Sequence, residues 1–127
     1  MTKKILIVDD EAHIRMLIEQ TLEDLEDEGV EFITADNGEQ ALHLIRAEKP
    51  NLVFLDVMMP KMNGMDVCSQ VKNDPELQNV FIILLTAKGQ DFDRQKGQEV
   101  GADIYMTKPF DPEAILIKAI EILGLKV

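Results

Sequence analysis

Asp9, Asp10, Asp56, Thr86 and Lys108 each lie at or just after the end of a short apolar run, and together they supply what a phosphoryl-transfer site needs. Ile5-Leu6-Ile7-Val8 stops at Asp9-Asp10-Glu11, Leu52-Val53-Phe54-Leu55 runs into Asp56, and the six apolar residues 80–85 end at Thr86. Three carboxylates converging on one edge would repel one another strongly unless a cation lay among them. Mg²⁺ suits such a place, because it is hard, favours oxygen ligands and leaves coordination positions for water and a phosphate oxygen. Thr86 contributes a hydroxyl donor and Lys108 a positive charge. The set matches transfer of a phosphoryl group to a carboxylate.

These residues can meet only if the apolar runs are neighbouring strands. Residues 4–8 and 31–35 read as strands one and two, 52–55 as strand three, 80–85 as a central strand buried on both faces, and 103–106 as strand five. Between the first two, Ile14, Leu17, Ile18, Thr21, Leu22 and Leu25 recur at helical spacing, with Asp10 as N-cap and Gly29 as stop. Asn37-Gly38-Glu39-Gln40 opens a second helix with Ala41, Leu44 and Ile45 inward, and Pro50 closes it. Pro60 and Gly64 mark a loop before a third helix over 65–73, which the Asp74-Pro75 region breaks. A fourth helix over 90–99 has only Phe92 and Val100 as anchors and is expected to pack least firmly. Asp111-Pro112-Glu113 caps a fifth, with Leu116, Ala119, Ile120 and Leu123 inward. Alternation of this kind implies an α/β fold, a parallel sheet with right-handed crossovers and helices on both faces. Ligands of such sheets bind beyond the carboxyl ends of the strands, where the five polar residues fall.

A length of 127 residues fits one domain, 1–127, without repeats or internal linkers. The net charge of −11, from 24 acidic and 13 basic residues, argues against direct contact with nucleic acid or an anionic membrane and suits a cation or basic partners. One cysteine cannot form an internal disulfide, and no apolar run approaches the roughly 18 residues of a membrane span, so the cytoplasm is the expected location.

Taken in order, Asp9-Asp10, the loop from Asp56 through Met59-Pro60 and Met62 to Gly64, Thr86-Ala87 and Lys108-Pro109-Phe110 resemble the receiver domains of two-component signalling, over the whole chain. The resemblance implies a flavodoxin-like (βα)₅ fold with strand order 2-1-3-4-5. It implies that Asp56 accepts a phosphoryl group from a sensor histidine kinase or phosphotransfer protein. Mg²⁺, with Mn²⁺ an acceptable substitute, would be held by Asp10, Asp56 and the backbone carbonyl of Met58, with Asp9 acting through water. Lys108 would pair with the carboxylate and then the phosphoryl oxygens, while Thr86 and Tyr105 would act as the switch pair. The Lys108–Pro109 peptide is expected to be cis. The fourth helix, fifth strand and fifth helix would form the readout face, for a target or for homodimerisation on phosphorylation. No reaction on an external substrate is expected beyond the domain's own phosphorylation and dephosphorylation. Met58 and Lys88 occupy positions that flank the path of the hydrolytic water in this family, and neither is acidic or an amide, which implies a long-lived phosphoryl group.

Other functions fit less well. A flavodoxin-like nucleotide binder needs a phosphate-cradling loop after its first strand, whereas Asp9-Asp10-Glu11 would repel phosphate. A Mg²⁺-dependent phosphohydrolase with an aspartyl-phosphate intermediate would carry its nucleophile at the first strand and a second aspartate two residues on, where Glu11 stands. A receiver reduced to phosphorylation-independent docking would have lost a pocket residue, and none is missing. Cys68 reads as a small core residue, His13 and His43 as surface positions, and the acidic run 23–28 as a solvated helix end. The chain ends at Val127, soon after the last expected helix, leaving no room within it for an output domain; a stand-alone regulator and a receiver cut from a longer protein both remain open.

Overall fold

The computed structural model describes residues 2–87, 101–108 and 110–125. Five strands, β1 (Lys3–Val8), β2 (Val30–Ala35), β3 (Leu52–Asp56), β4 (Phe81–Ala87) and β5 (Ile104–Lys108), pair in parallel in the order β2-β1-β3-β4-β5. Four helices are described: α1 (Ala12–Leu22), α2 (Gly38–Glu48), α3 (Gly64–Lys72) and α4 (Pro112–Leu123). The α/β fold and strand order are those expected from the sequence. The helix expected over 90–99, Lys88 and the Lys108–Pro109 peptide lie outside the described residues.

Successive strand residues point to opposite faces, and the two cores divide accordingly. Leu6, Val8, Val53, Leu55, Ile82 and Leu84 meet Ala41, Leu42 and Ile45 of α2 and Val67, Cys68 and Val71 of α3. Ile5, Ile7, Leu52, Phe54, Ile83 and Leu85 meet Ile18 and Leu22 of α1 and Ile115, Ala119 and Leu123 of α4. A strand covered on both sides has no solvent face to make polar, which is why the inner strands read as unbroken apolar runs.

The helix signals act as expected in two places, where Asn37 accepts from the Gln40 N–H and Asp111 from the Glu113 N–H ahead of Pro112. At α3 the cap is Asn63, which accepts from the Asp66 N–H and was not singled out from the sequence. Elsewhere the sequence expectation needs correction. Glu11, not Asp10, is the N-cap of α1, and its side chain makes no capping bond. Instead the Glu11 N–H goes to Oδ1 of Asp9, so the acidic pair turns toward the strand ends. The expected first helix tightens after Leu22 into a 3₁₀ turn, Glu23–Glu28, ended by Gly29 at φ 83°. That turn still buries Leu25. Leu17, however, is exposed, because Ile18 and Leu22 take the inward stripe. In α2 Leu42 is buried while Leu44 is half-buried, and in α4 Ile115 lies deeper than Leu116 or Ile120. His13 and His43 are exposed and Cys68 is buried, as expected. Among the described residues no helix is long and apolar enough to cross a membrane.

At the end of the sheet away from the acidic cluster, the start of β5 is tied to β4. The Asp103 N–H donates to the Ile82 carbonyl at 3.1 Å, and the Ile82 N–H donates to the Asp103 carboxylate at 2.8 Å. Lys72 of α3 pairs with the same carboxylate at 2.8 Å and donates to the Val80 carbonyl at 2.7 Å.

Among the described residues Phe54 is the largest fully buried side chain, and it sits mid-sheet. Phe54→Ala is expected to lower stability by about 3–5 kcal/mol in urea unfolding, whereas truncation of the exposed Ile117 to Ala should shift it by no more than about 0.5 kcal/mol; equal effects would refute this placement of the core.

Candidate functional site

Register alone brings the first two carboxylates together. Val8 of β1 lies opposite Leu55 of β3, so the next residue on each strand places Asp9 beside Asp56. The period of two also puts Asp9, Asp56 and Lys108 on one face, continuing Ile7, Phe54 and Met106. Lys108 lies beyond β4, at a backbone distance of about two strand spacings, roughly 10 Å. Its four-carbon stem crosses that gap. The ammonium reaches Asp9 Oδ2 at 3.0 Å and Asp56 Oδ1 at 3.3 Å. The Met58 N–H also donates to Asp56 Oδ1, at 3.4 Å.

Asp9 is fully buried, Asp56 is 3% exposed and Thr86 6%, and these are the buried polar or charged side chains among the described residues. Burial of carboxylates without full pairing is costly, so their concentration at one edge of the sheet marks a site rather than a scaffold. The Asp56 carboxyl is pushed up from its ordinary 3.8 to about 7, first by burial and then by the charge of Asp9, against the opposing pull of Lys108 and the Met58 N–H. Burial alone would weaken the charge on Lys108. Its hydrogen bond to Asp9 and the charges of Asp56 and Asp9 outweigh this and hold its pKa above the usual lysine range.

Asp10 is exposed and completes a group in which single oxygens of Asp9, Asp10 and Asp56 all lie within 4.8 Å of one another. Oxygens opposite each other on a six-coordinate Mg²⁺ are about 4.2 Å apart, so small side-chain rotations would let such an ion bridge the group. Among the described residues, three carboxylates against one ammonium leave negative charge in excess. The donor set therefore fits a hard divalent cation.

Thr86 pairs with Thr107 in the β4–β5 register, and Leu84 with Tyr105. Tyr105 is half-buried against the α2–α3 core and shares the Thr86 face of the sheet, diagonally across one strand gap. Asp9, Asp10, Asp56, Thr86 and Lys108 thus gather at one edge of the sheet, whereas Tyr105, the second residue of β5, lies nearer the start of that strand.

Sequence reasoning did not see how the loop after Asp56 is held. A Cβ on Gly64 would come within 2.3 Å of the Asp56 carbonyl oxygen, and one on Gly38 within 1.9 Å of the Met62 carbonyl oxygen. The Gly64 N–H donates to the Val57 carbonyl at 2.8 Å. The loop is therefore seated between the end of β3 and the start of α2, at two places where a side chain has no room. The available signal was a glycine at the first position of each helix, where a better helix former costs nothing unless space forbids it.

Comparison with known proteins agrees with this geometry. The model of the response regulator receiver domain family matches residues 5–121, and the chain belongs to that family. The alkaline phosphatase synthesis transcriptional regulatory protein PhoP of Bacillus subtilis (strain 168) is 47% identical over 115 residues, 91% of this chain and 46% of that protein. The chain thus spans about half the length of the curated relatives it matches. Among solved structures, the BeF₃-activated DrrB receiver domain aligns with a TM-score of 0.82 at 35% identity, covering 98% of this chain and 99% of that one. The chemotaxis response regulator CheY4 of Vibrio cholerae aligns at 0.81 and 31% identity, over 96% and 99%. Receiver domains are signalling modules, not metabolic enzymes.

With a native pKa near 7 against 3.8 unfolded, folded Asp56 keeps a proton that the unfolded chain releases. Metal-free stability should therefore fall as pH rises from about 4 to about 7 and then level off. Asp56→Asn removes this dependence, and in urea unfolding without divalent cations it should exceed the unsubstituted chain at pH 8, with a ceiling of about 4 kcal/mol, and lose that advantage toward pH 4. Parallel curves for the two chains would contradict it.

Proposed function

We propose that the chain accepts a phosphoryl group on Asp56 from a phosphorylated histidine of a sensor kinase or phosphotransfer protein, and thereby switches a binding surface. The carrying observation is a buried carboxylate with one oxygen engaged by Lys108 and the Met58 N–H, flanked by two further aspartates. The other oxygen, Oδ2, accepts no hydrogen bond among the described residues and is left for the incoming phosphorus. As the Asp56 O–P bond forms, the P–N bond to the donor imidazole breaks, and the imidazole nitrogen keeps the electron pair and takes up a proton from solvent. The product is an acyl phosphate.

A Mg²⁺ held by Asp10, Asp56 and the Met58 carbonyl, with Asp9 acting through water and Mn²⁺ as a substitute, would supply the positive charge that ionises Asp56 and offsets the phosphoryl oxygens. Lys108, already on Asp56 and Asp9, moves its contact to a phosphoryl oxygen as charge arrives. Thr86 donates its hydroxyl to the phosphoryl group, and the space it leaves is on the face where Tyr105 sits. Phosphorylation thus biases two arrangements of β5 and its flanks. The readout face would comprise β5, α4 and the segment 90–99, the last outside the described residues, and would serve a target or a second copy. The domain itself needs no nucleic-acid or membrane contact, and the cytoplasm is the compartment that suits its donors. Relatives named as transcriptional regulators and twice as long support a role in which this domain governs an attached or separate output domain.

Incubation with Mg²⁺ and acetyl phosphate should add one phosphoryl group by intact mass spectrometry, with no adduct on Asp56→Asn and a much slower one on Lys108→Met. No adduct on the unsubstituted chain, with Mg²⁺ binding intact, would overturn the proposal in favour of a docking module. Met58 is exposed beside Asp56 and has no polar group to orient a hydrolytic water. Met58→Asn is therefore expected to shorten the life of the acyl phosphate several-fold in a phosphate-release assay, and an unchanged lifetime would exclude that role.

A further inference from the structure

Asp9 and Asp10 differ in how they are held. Every polar atom of Asp9 has a partner: its N–H donates to the Ala35 carbonyl at 3.3 Å, Oδ1 accepts from the Glu11 N–H at 3.0 Å, and Oδ2 accepts from Lys108 at 3.0 Å. The fourth contact comes from the first turn of α1, where Arg15 Nη1 donates to the Asp9 carbonyl oxygen at 2.6 Å. Asp10 is exposed and makes no hydrogen bond among the described residues. Nothing on its own side chain sets its direction.

Its backbone does. The Asp9 carbonyl and the Asp10 nitrogen belong to one planar peptide unit, so a group that fixes the carbonyl also fixes the plane from which the Asp10 Cα and carboxylate project. Arg15 is half-buried, and the carbonyl contact is the one interaction of its side chain among the described residues, although acidic groups crowd the turn. A permanently charged guanidinium on a neutral acceptor makes a short, charge-assisted bond whose strength does not vary with the titration of the site. The same charge sits beside a cluster in which three carboxylates face one ammonium.

We propose that Arg15 is a positioning residue for the acidic pair: by holding the Asp9 carbonyl it orients the Asp10 carboxylate toward Asp56 and so sets the affinity for the divalent cation. Groups that orient metal ligands from behind commonly alter affinity by about 10–100-fold when removed. The clamp acts before any phosphoryl group arrives, so its loss raises the Mg²⁺ concentration required without abolishing the reaction once the site is filled.

Since the inference rests on the reading of this cluster as a cation-dependent phosphoacceptor site, Mg²⁺ binding to the unsubstituted chain is measured first, by isothermal titration calorimetry with the metal alone. Arg15→Gln is then expected to weaken binding about ten-fold or more, and Arg15→Lys, which keeps a donor and the charge, to fall between the two. The Mg²⁺-free thermal midpoint should stay close to that of the unsubstituted chain, and phosphorylation by acetyl phosphate at saturating Mg²⁺ should reach the same extent. Arg46→Gln, which removes a charge from α2 on the other face, should leave Mg²⁺ affinity unchanged. An unaltered affinity in Arg15→Gln, or an equal loss in Arg46→Gln, would overturn the role of Arg15 while leaving the phosphoacceptor reading intact. Failure of the unsubstituted chain to bind Mg²⁺ would overturn that reading and this inference with it.

Discussion

The site depends on one constraint: the β1–β3 register forces two carboxylates into contact at the end of a sheet that is dry on both faces. Mutual repulsion and burial make that arrangement unfavourable by itself, and the protein offsets it from a distance. Lys108 comes from two strands away and lies within 3.3 Å of both acids. The compensation is incomplete, as the upward shift of Asp56 shows. Incomplete compensation is what leaves the site favouring more positive charge, which suits an acidic domain of net charge −11 to a cation.

Much of this was legible in the sequence, for a physical reason. A parallel sheet covered on both sides turns strands into unbroken apolar words, and Asp9, Asp56 and Thr86 stand out as the polar letters that end them. Strand order, by contrast, cannot be read from periodicity, and it came only with the resemblance to a family. The misreadings share a cause. Asp10 looked like a helix cap because aspartate caps helices, but the tertiary demand on the acidic pair moved the cap to Glu11. Leu17, Leu42 and Ile115 were misjudged because helical spacing defines a stripe whose centre only packing can locate.

What remained invisible was the absence of atoms and the use of backbone. Gly38 read as part of a helix start and Gly64 as loop punctuation, yet they are where one chain segment lies against the carbonyl of another. Arg15 drew no notice in the sequence, since a side chain bonded to a main-chain oxygen leaves no trace in residue types. Contacts of this kind need coordinates.

The fastening of β5 has a mechanical consequence. Asp103 and Lys72 grip the strand at its root through three short polar contacts on β4 and α3, while its far end carries Lys108 to the acidic cluster. A beam clamped at one end deflects least near the clamp and most at its tip. A change in the charge that Lys108 meets is therefore applied where the strand has the greatest leverage.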